Sequence, residues 1–143
     1  MKPAFLIEGE CMVSVTNLYL CRMALISKLK HQATPDELAE LQEFMAALKQ
    51  IPQDLGRLLY LKYFTMGEYR PRYLGHPRSH HRKLPLGIRR NWCVKCGTHP
   101  EMAEVLGITR QEVSFLEKLA VKALAETLLE MRLANAQTKA MEV

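Results

Sequence analysis

The chain has 143 residues, 48% of them hydrophobic and 24% charged, a balance that suits a folding globular protein and not a disordered one. That length fits one compact domain or two small lobes and excludes a large multidomain enzyme. Lys and Arg number 20 against 15 Asp and Glu, a net charge of +5, and the excess is local. Eight basic residues and no acidic one lie between Tyr69 and Pro100 (Arg70, Arg72, Arg78, Arg82, Lys83, Arg89, Arg90 and Lys95), so the remaining 12 basic and 15 acidic residues leave the rest of the chain at −3. A positive patch on a slightly acidic body suits a polyanion such as DNA, because Lys and Arg that neutralise phosphates release condensed counterions.

Met1 to Ile7 holds only a short apolar run, with Glu8 and Glu10 close behind, so neither a signal peptide nor a membrane span is expected and the setting is read as cytoplasmic. From Val15 to Leu29 apolar residues recur at steps of three and four, the period of an amphipathic helix. Thr34-Pro35-Asp36-Glu37 combines a hydroxyl cap, a proline at the first helical position and a Glu three residues after the cap; it predicts a second helix running to about Lys49. Ile51-Pro52-Gln53-Asp54 opens a third helix with a broad apolar face, ending near Met66-Gly67.

Between Glu68 and Pro100, seven Pro and Gly residues interrupt any long period, and no strand signal is persuasive, so this stretch reads as an irregular insertion. Helical spacing resumes at Glu101. Met102, Ala103, Val105 and Leu106 supply a short helix, Gly107 permits a left-handed turn, and Ile108 fills the corner. Thr109 then caps a long helix, with Glu112 three residues on, whose Val113, Leu116, Ala120, Leu124, Leu128 and Met131 keep to one face. This is the order a helix-turn-helix requires, and the first turns of its second helix display Arg110, Gln111, Ser114, Phe115 and Lys118. The expected fold class is all-α: a helical bundle with a helix-turn-helix and an inserted loop-rich module. Residues 1–67 form the N-terminal helical part, 68–100 the basic Cys/His insertion, 101–133 the helix-turn-helix and 134–143 a frayed tail.

The run from Glu101 to Glu117, Glu-Met-Ala-Glu-Val-Leu-Gly-Ile-Thr-Arg-Gln-Glu-Val-Ser-Phe-Leu-Glu, resembles the helix-turn-helix of bacterial sigma-factor region 4. Ile51 to Phe64 is similar to the helix that precedes it in that family. The resemblance covers about a third of the chain and implies work with promoter DNA or with RNA polymerase in a bacterial cell. In the family, the residue matching Arg110 and its neighbours touch the promoter's upstream element; here Ser114 and Phe115 stand where further charged or amide residues are usual. The small size and the interrupted helix-turn-helix resemble phage-encoded late-gene antiterminators of the Q type, some of which carry a zinc-binding module.

His76, His80, Cys93 and Cys96 follow the order His-x3-His-x12-Cys-x2-Cys, the intervals of a Cys2His2 zinc finger reversed, with His81 and His99 as spare donors. Zinc favours four such ligands in a closed tetrahedron, and a structural ion would add folding energy to a segment with few large apolar residues. Pro77 between the two histidines places that geometry in a loop. No carboxylate stands near these ligands to act as a general base, which argues against catalytic zinc and against an enzyme.

The expected function is that of a DNA-binding transcription regulator acting at promoters or on bacterial RNA polymerase. Arg110, Gln111, Ser114 and Lys118 are expected to face bases, and Arg82, Lys83, Arg89 and Arg90 to hold phosphates. The competing expectation is a protein that binds a host protein such as RNA polymerase without touching DNA; a zinc-dependent nuclease is the third.

Overall fold

The computed structural model describes residues 6–7, 11–12, 15–71, 82–83 and 92–142, with side chains for 15–69 and 95–139. It is mostly helical. Helix α1 spans Asn17–Lys28, α2 Pro35–Gln50, α3 Gln53–Tyr60, α4 His99–Leu106 and α5 Arg110–Glu142. Short strands accompany them. Strands β1 (Leu6–Ile7) and β2 (Cys11–Met12) pair antiparallel. Strands β3 (Glu68–Pro71), β4 (Arg82–Lys83) and β5 (Trp92–Lys95) form an antiparallel sheet in the order β3-β5-β4.

That sheet corrects the expectation of an irregular insertion without strands. Pairing sets Glu68 opposite Lys95 and Arg70 opposite Cys93 on one side of β5, and Arg82 opposite Val94 on the other. Tyr69, Val94 and Trp92 are the residue types a pleated surface favours, but Pro71 and the flanking arginines break the alternation that announces a strand in sequence.

Helix boundaries follow from caps. In α2 the Thr34 hydroxyl accepts from the Glu37 amide at 3.1 Å while the Glu37 carboxylate accepts from the Thr34 amide at 2.9 Å, with Pro35 at the start of the helix. Thr109 and Glu112 exchange the same two bonds, each 3.1 Å, ahead of α5. A third box stands where sequence reading placed none: the Thr98 amide donates to Glu101 at 3.0 Å and the Glu101 amide to the Thr98 hydroxyl at 3.3 Å. Helix α4 therefore begins at His99, not at Glu101. Each such cap is worth about 1 kcal/mol.

The core gathers one stripe from every helix: Leu20, Met23, Leu25 and Ile26 from α1, Phe44 and Ala47 from α2, Leu58 and Leu59 from α3, Met102 from α4, and Val113, Ala120, Leu124 and Leu128 from α5. Helix α5 packs against α2, α3 and α4, and Arg132 on α5 forks onto Glu43 of α2 at 2.9 to 3.3 Å. Its 33 residues make it about 50 Å long. The helix continues over Ala134–Glu142, where the sequence reading placed a frayed tail; Ala, Gln, Lys and Met there are good helix formers even without a core to face.

At the end of α3 the chain widens into a π turn over Leu61–Thr65, closed by the Met66 amide donating to the Leu61 carbonyl at 2.8 Å. The extra residue turns both Lys62 and Tyr63 inward, leaving them 6% and 1% exposed. Next to this turn the Gly97 amide donates to the Lys62 carbonyl at 2.9 Å. A Cβ on Gly97 would lie 3.0 Å from the Met66 sulfur, so the chain passes close here because Gly97 has none.

Candidate nucleic-acid interface

Helices α4 and α5 meet at a corner built by Gly107, whose φ of 70° is left-handed. Its amide and that of Ile108 donate to the Ala103 carbonyl at 2.9 and 3.1 Å, satisfying the end of α4. Fully buried Met102 and Val113 lock the two helices together, and the Thr109 box starts α5 with its first turns facing outward. Arg110, Gln111 and Lys118 are exposed there, and Phe115 is 61% exposed. Ser114, expected beside them, is half-buried and lines a cleft of about 460 Å³ between α1, α4 and α5. Lys118 stands at the rim of the same cleft.

Two of the other residues expected to hold phosphate lie in the sheet. Arg82 and Lys83 form β4, with only their backbone described; Arg89 and Arg90 lie outside the described residues. So do His76, His80 and His81 of the expected zinc set, and Cys93 is described in its backbone alone. Cys96 and His99 are turned toward the helices. The Cys96 sulfur accepts from the Asn17 side-chain amide at 3.6 Å, and His99 Nε2 lies 2.5 Å from Glu117 Oε1. Among the described residues no three His, Cys, Asp or Glu side chains converge as metal ligands; of the four expected zinc ligands, Cys96 alone has a described side chain.

Behind the exposed face of α5 lies a polar cluster that sequence reasoning missed. Glu117 projects from the core side of α5, and both its oxygens are engaged. Oε2 accepts from Lys62 Nζ at 2.5 Å and from the Tyr63 hydroxyl at 3.2 Å, while Oε1 meets His99. The Tyr63 hydroxyl in turn accepts from Asn17 Nδ2 at 2.9 Å. Cys21, one turn beyond Asn17, donates to the Asn17 side-chain oxygen Oδ1 at 3.7 Å and is in hydrogen-bond contact with Cys96. The cluster thus joins α1, the π turn, the N-terminus of α4 and α5.

Its electrostatics follow from these contacts. Burial pushes the Glu117 carboxyl upward, but the hydrogen bonds and charges of Lys62 and His99 outweigh it and hold the group below the ordinary carboxylate range. Burial, reinforced by the Glu117 charge, pushes the Tyr63 phenol well up, so it stays neutral. The Cys96 thiol comes down to about 6, chiefly through its hydrogen bond with Cys21, with burial opposing and Asn17 and Lys62 assisting.

One signal for this cluster was present in the sequence. Glu117 falls four residues after Val113 and three before Ala120, on the apolar stripe of α5, and a carboxylate on such a stripe calls for a buried partner. Its partners come from segments 18 to 55 residues away, which no local pattern can name.

No known protein family, curated protein or solved structure matches this chain. Among the described residues no helix is long and apolar enough to cross a membrane.

Proposed function

We propose that the chain is a DNA-binding transcription regulator whose α4–α5 pair works at promoters and on bacterial RNA polymerase. The observation that carries this reading is the outward first turns of α5, held by the Gly107 corner and the Thr109 cap, with Arg110, Gln111 and Lys118 exposed together. An α-helix fits the major groove, where Arg recognises guanine through two hydrogen bonds and Gln recognises adenine in the same way. Arg82, Lys83, Arg89 and Arg90 supply phosphate contacts, a sequence-independent contribution that weakens with salt. The likeness of Glu101 to Glu117 to sigma-factor region 4 supports the same reading, and the zinc ligands expected around Cys93 are not needed for it.

A second reading, docking on a protein without DNA, is favoured by one observation. Phe115 and Leu119 lie a turn apart on α5 and are 61% and 40% exposed, more apolar surface than a groove-reading helix needs. Selection of duplexes from a random DNA pool, run beside capture of purified RNA polymerase, separates the two. The DNA reading expects a recurrent site that is lost when Arg110 and Gln111 become Ala; polymerase capture with no duplex enriched would transfer the function to the second reading.

A further inference from the structure

Cys21 and Cys96 flank the two ends of one side-chain amide. Cys21 donates to Asn17 Oδ1 at 3.7 Å, Asn17 Nδ2 donates to Cys96 at 3.6 Å, and both thiols are reduced. They come from distant parts of the chain: Cys21 lies inside α1 and is 2% exposed, whereas Cys96 is half-buried in the connection between β5 and α4. The tight passage at Gly97 and the hydrogen bond its N–H donates to the Lys62 carbonyl hold that connection against the helical body. The second thiol is therefore kept beside the first by the fold itself, both sulfurs within reach of one Asn17 side chain, and a disulfide would replace that shared amide with a covalent bond.

We propose that Cys21 and Cys96 form a redox-active dithiol, which a hydroperoxide oxidises to a disulfide fastening α1 to the connection that leads into α4. The more accessible Cys96 acts first. Its thiolate attacks one peroxide oxygen, the O–O bond breaks, and Cys96 becomes a sulfenic acid as the other oxygen leaves as water or, for an alkyl hydroperoxide, as the alcohol. Cys21 then loses its proton and attacks the Cys96 sulfur, the S–O bond breaks, and hydroxide leaves and takes up a proton as the second water. Two thiols and one peroxide give one disulfide, with water and the reduced peroxide as products. Because Thr98 caps α4 two residues beyond Cys96, the new bond anchors the start of the helix-turn-helix to α1. The proposal does not depend on what the helix-turn-helix binds.

The test uses the full-length chain, reduced, freed of reductant and exposed to hydrogen peroxide. Unreacted thiols are then alkylated under denaturing conditions and the protein is digested for mass spectrometry. The expected product links Cys21 to Cys96, reverts with dithiothreitol, and leaves Cys11 and Cys93 alkylated. In Cys21→Ser oxidation should stop at a sulfenic acid on Cys96, trapped by dimedone, and in Cys96→Ser the Cys21 thiol should stay reduced; the second variant changes a half-buried group and guards against a folding defect in the first. A Cys93–Cys96 disulfide overturns the proposal, as does sulfinic acid on Cys96 with Cys21 still alkylatable. Thiols that resist peroxide until a chelator removes a metal ion overturn it too.

Discussion

On the inner side of α5 Glu117 has each oxygen occupied, by Lys62 and Tyr63 on one and His99 on the other. Less than two turns away on the outer side, Arg110, Gln111 and Lys118 are exposed to solvent. Both sets are polar, but they do different work. Buried ion pairs contribute little net stability, yet leaving one member unpaired is costly, so the inner set fixes one arrangement of α1, α4 and α5 without making the whole much more stable. The outer set contributes next to nothing to the fold, and under the proposed function its types and placement serve contact with DNA.

The contrast can be broken most severely at Glu117. Glu117→Ala leaves the Lys62 ammonium buried without its carboxylate and should destabilise the protein by about 3 kcal/mol in urea or thermal unfolding, whereas Arg110→Ala with Gln111→Ala should leave the unfolding transition where it was. Equal effects at the two places would erase the distinction between inner and outer sets. That double variant should instead weaken binding to a preferred duplex by about 1–3 kcal/mol, read by fluorescence anisotropy.

Gly107→Ala should cost about 1 kcal/mol, because the left-handed backbone disfavours any Cβ even though there is space for one. Thr98→Ala, which removes the cap of α4, should cost about the same and be seen as faster amide exchange in the first turn of that helix.

The smallest effect is a pH dependence. Because Glu117 is held below the ordinary carboxylate range in the folded state, its contribution is fully present above the unfolded-state pKa of about 4.3 and is lost as pH falls through the folded value. The stability advantage of the natural protein over Glu117→Gln should therefore narrow in acid. An advantage unchanged by acid would place the carboxylate's role in shape and not in charge.

Much of the helical frame was legible in the residues. The Thr34 and Thr109 boxes, the Gly107 turn and the apolar stripe of α5 are local signals, complete within a few positions, and the helices begin and turn where those signals stand. The Thr98 box was equally local, but it sits behind a run of Gly and Pro and passed as part of the insertion. Strands β3 and β5 escaped notice because their pairing partners lie 21 to 27 residues away, with arginines and Pro71 masking the alternation.

The site was half legible. Arg110, Gln111 and Lys118 could be placed by helical period alone. The Glu117 cluster depends on the π turn that brings Lys62 and Tyr63 inward together, an irregularity without a sequence signature. Cys96 reads as a zinc ligand by its spacing from Cys93; among the described residues it also lies beside Asn17 and Cys21, which that spacing could not announce. Sequence intervals describe what a segment can form with itself, not what another helix offers it.

Whether α5 presents its first turns to DNA while Arg82, Lys83, Arg89 and Arg90 neutralise phosphates is measured most directly by duplex affinity over a range of salt. The natural protein should bind with a steep salt slope. Replacing Arg110 and Gln111 with Ala should remove sequence preference and leave most of the slope, whereas replacing Arg89 and Arg90 should weaken every duplex alike and shallow the slope by about 1 for each phosphate no longer neutralised. Affinity unchanged in both variants, or no duplex bound even at low salt, would contradict the account.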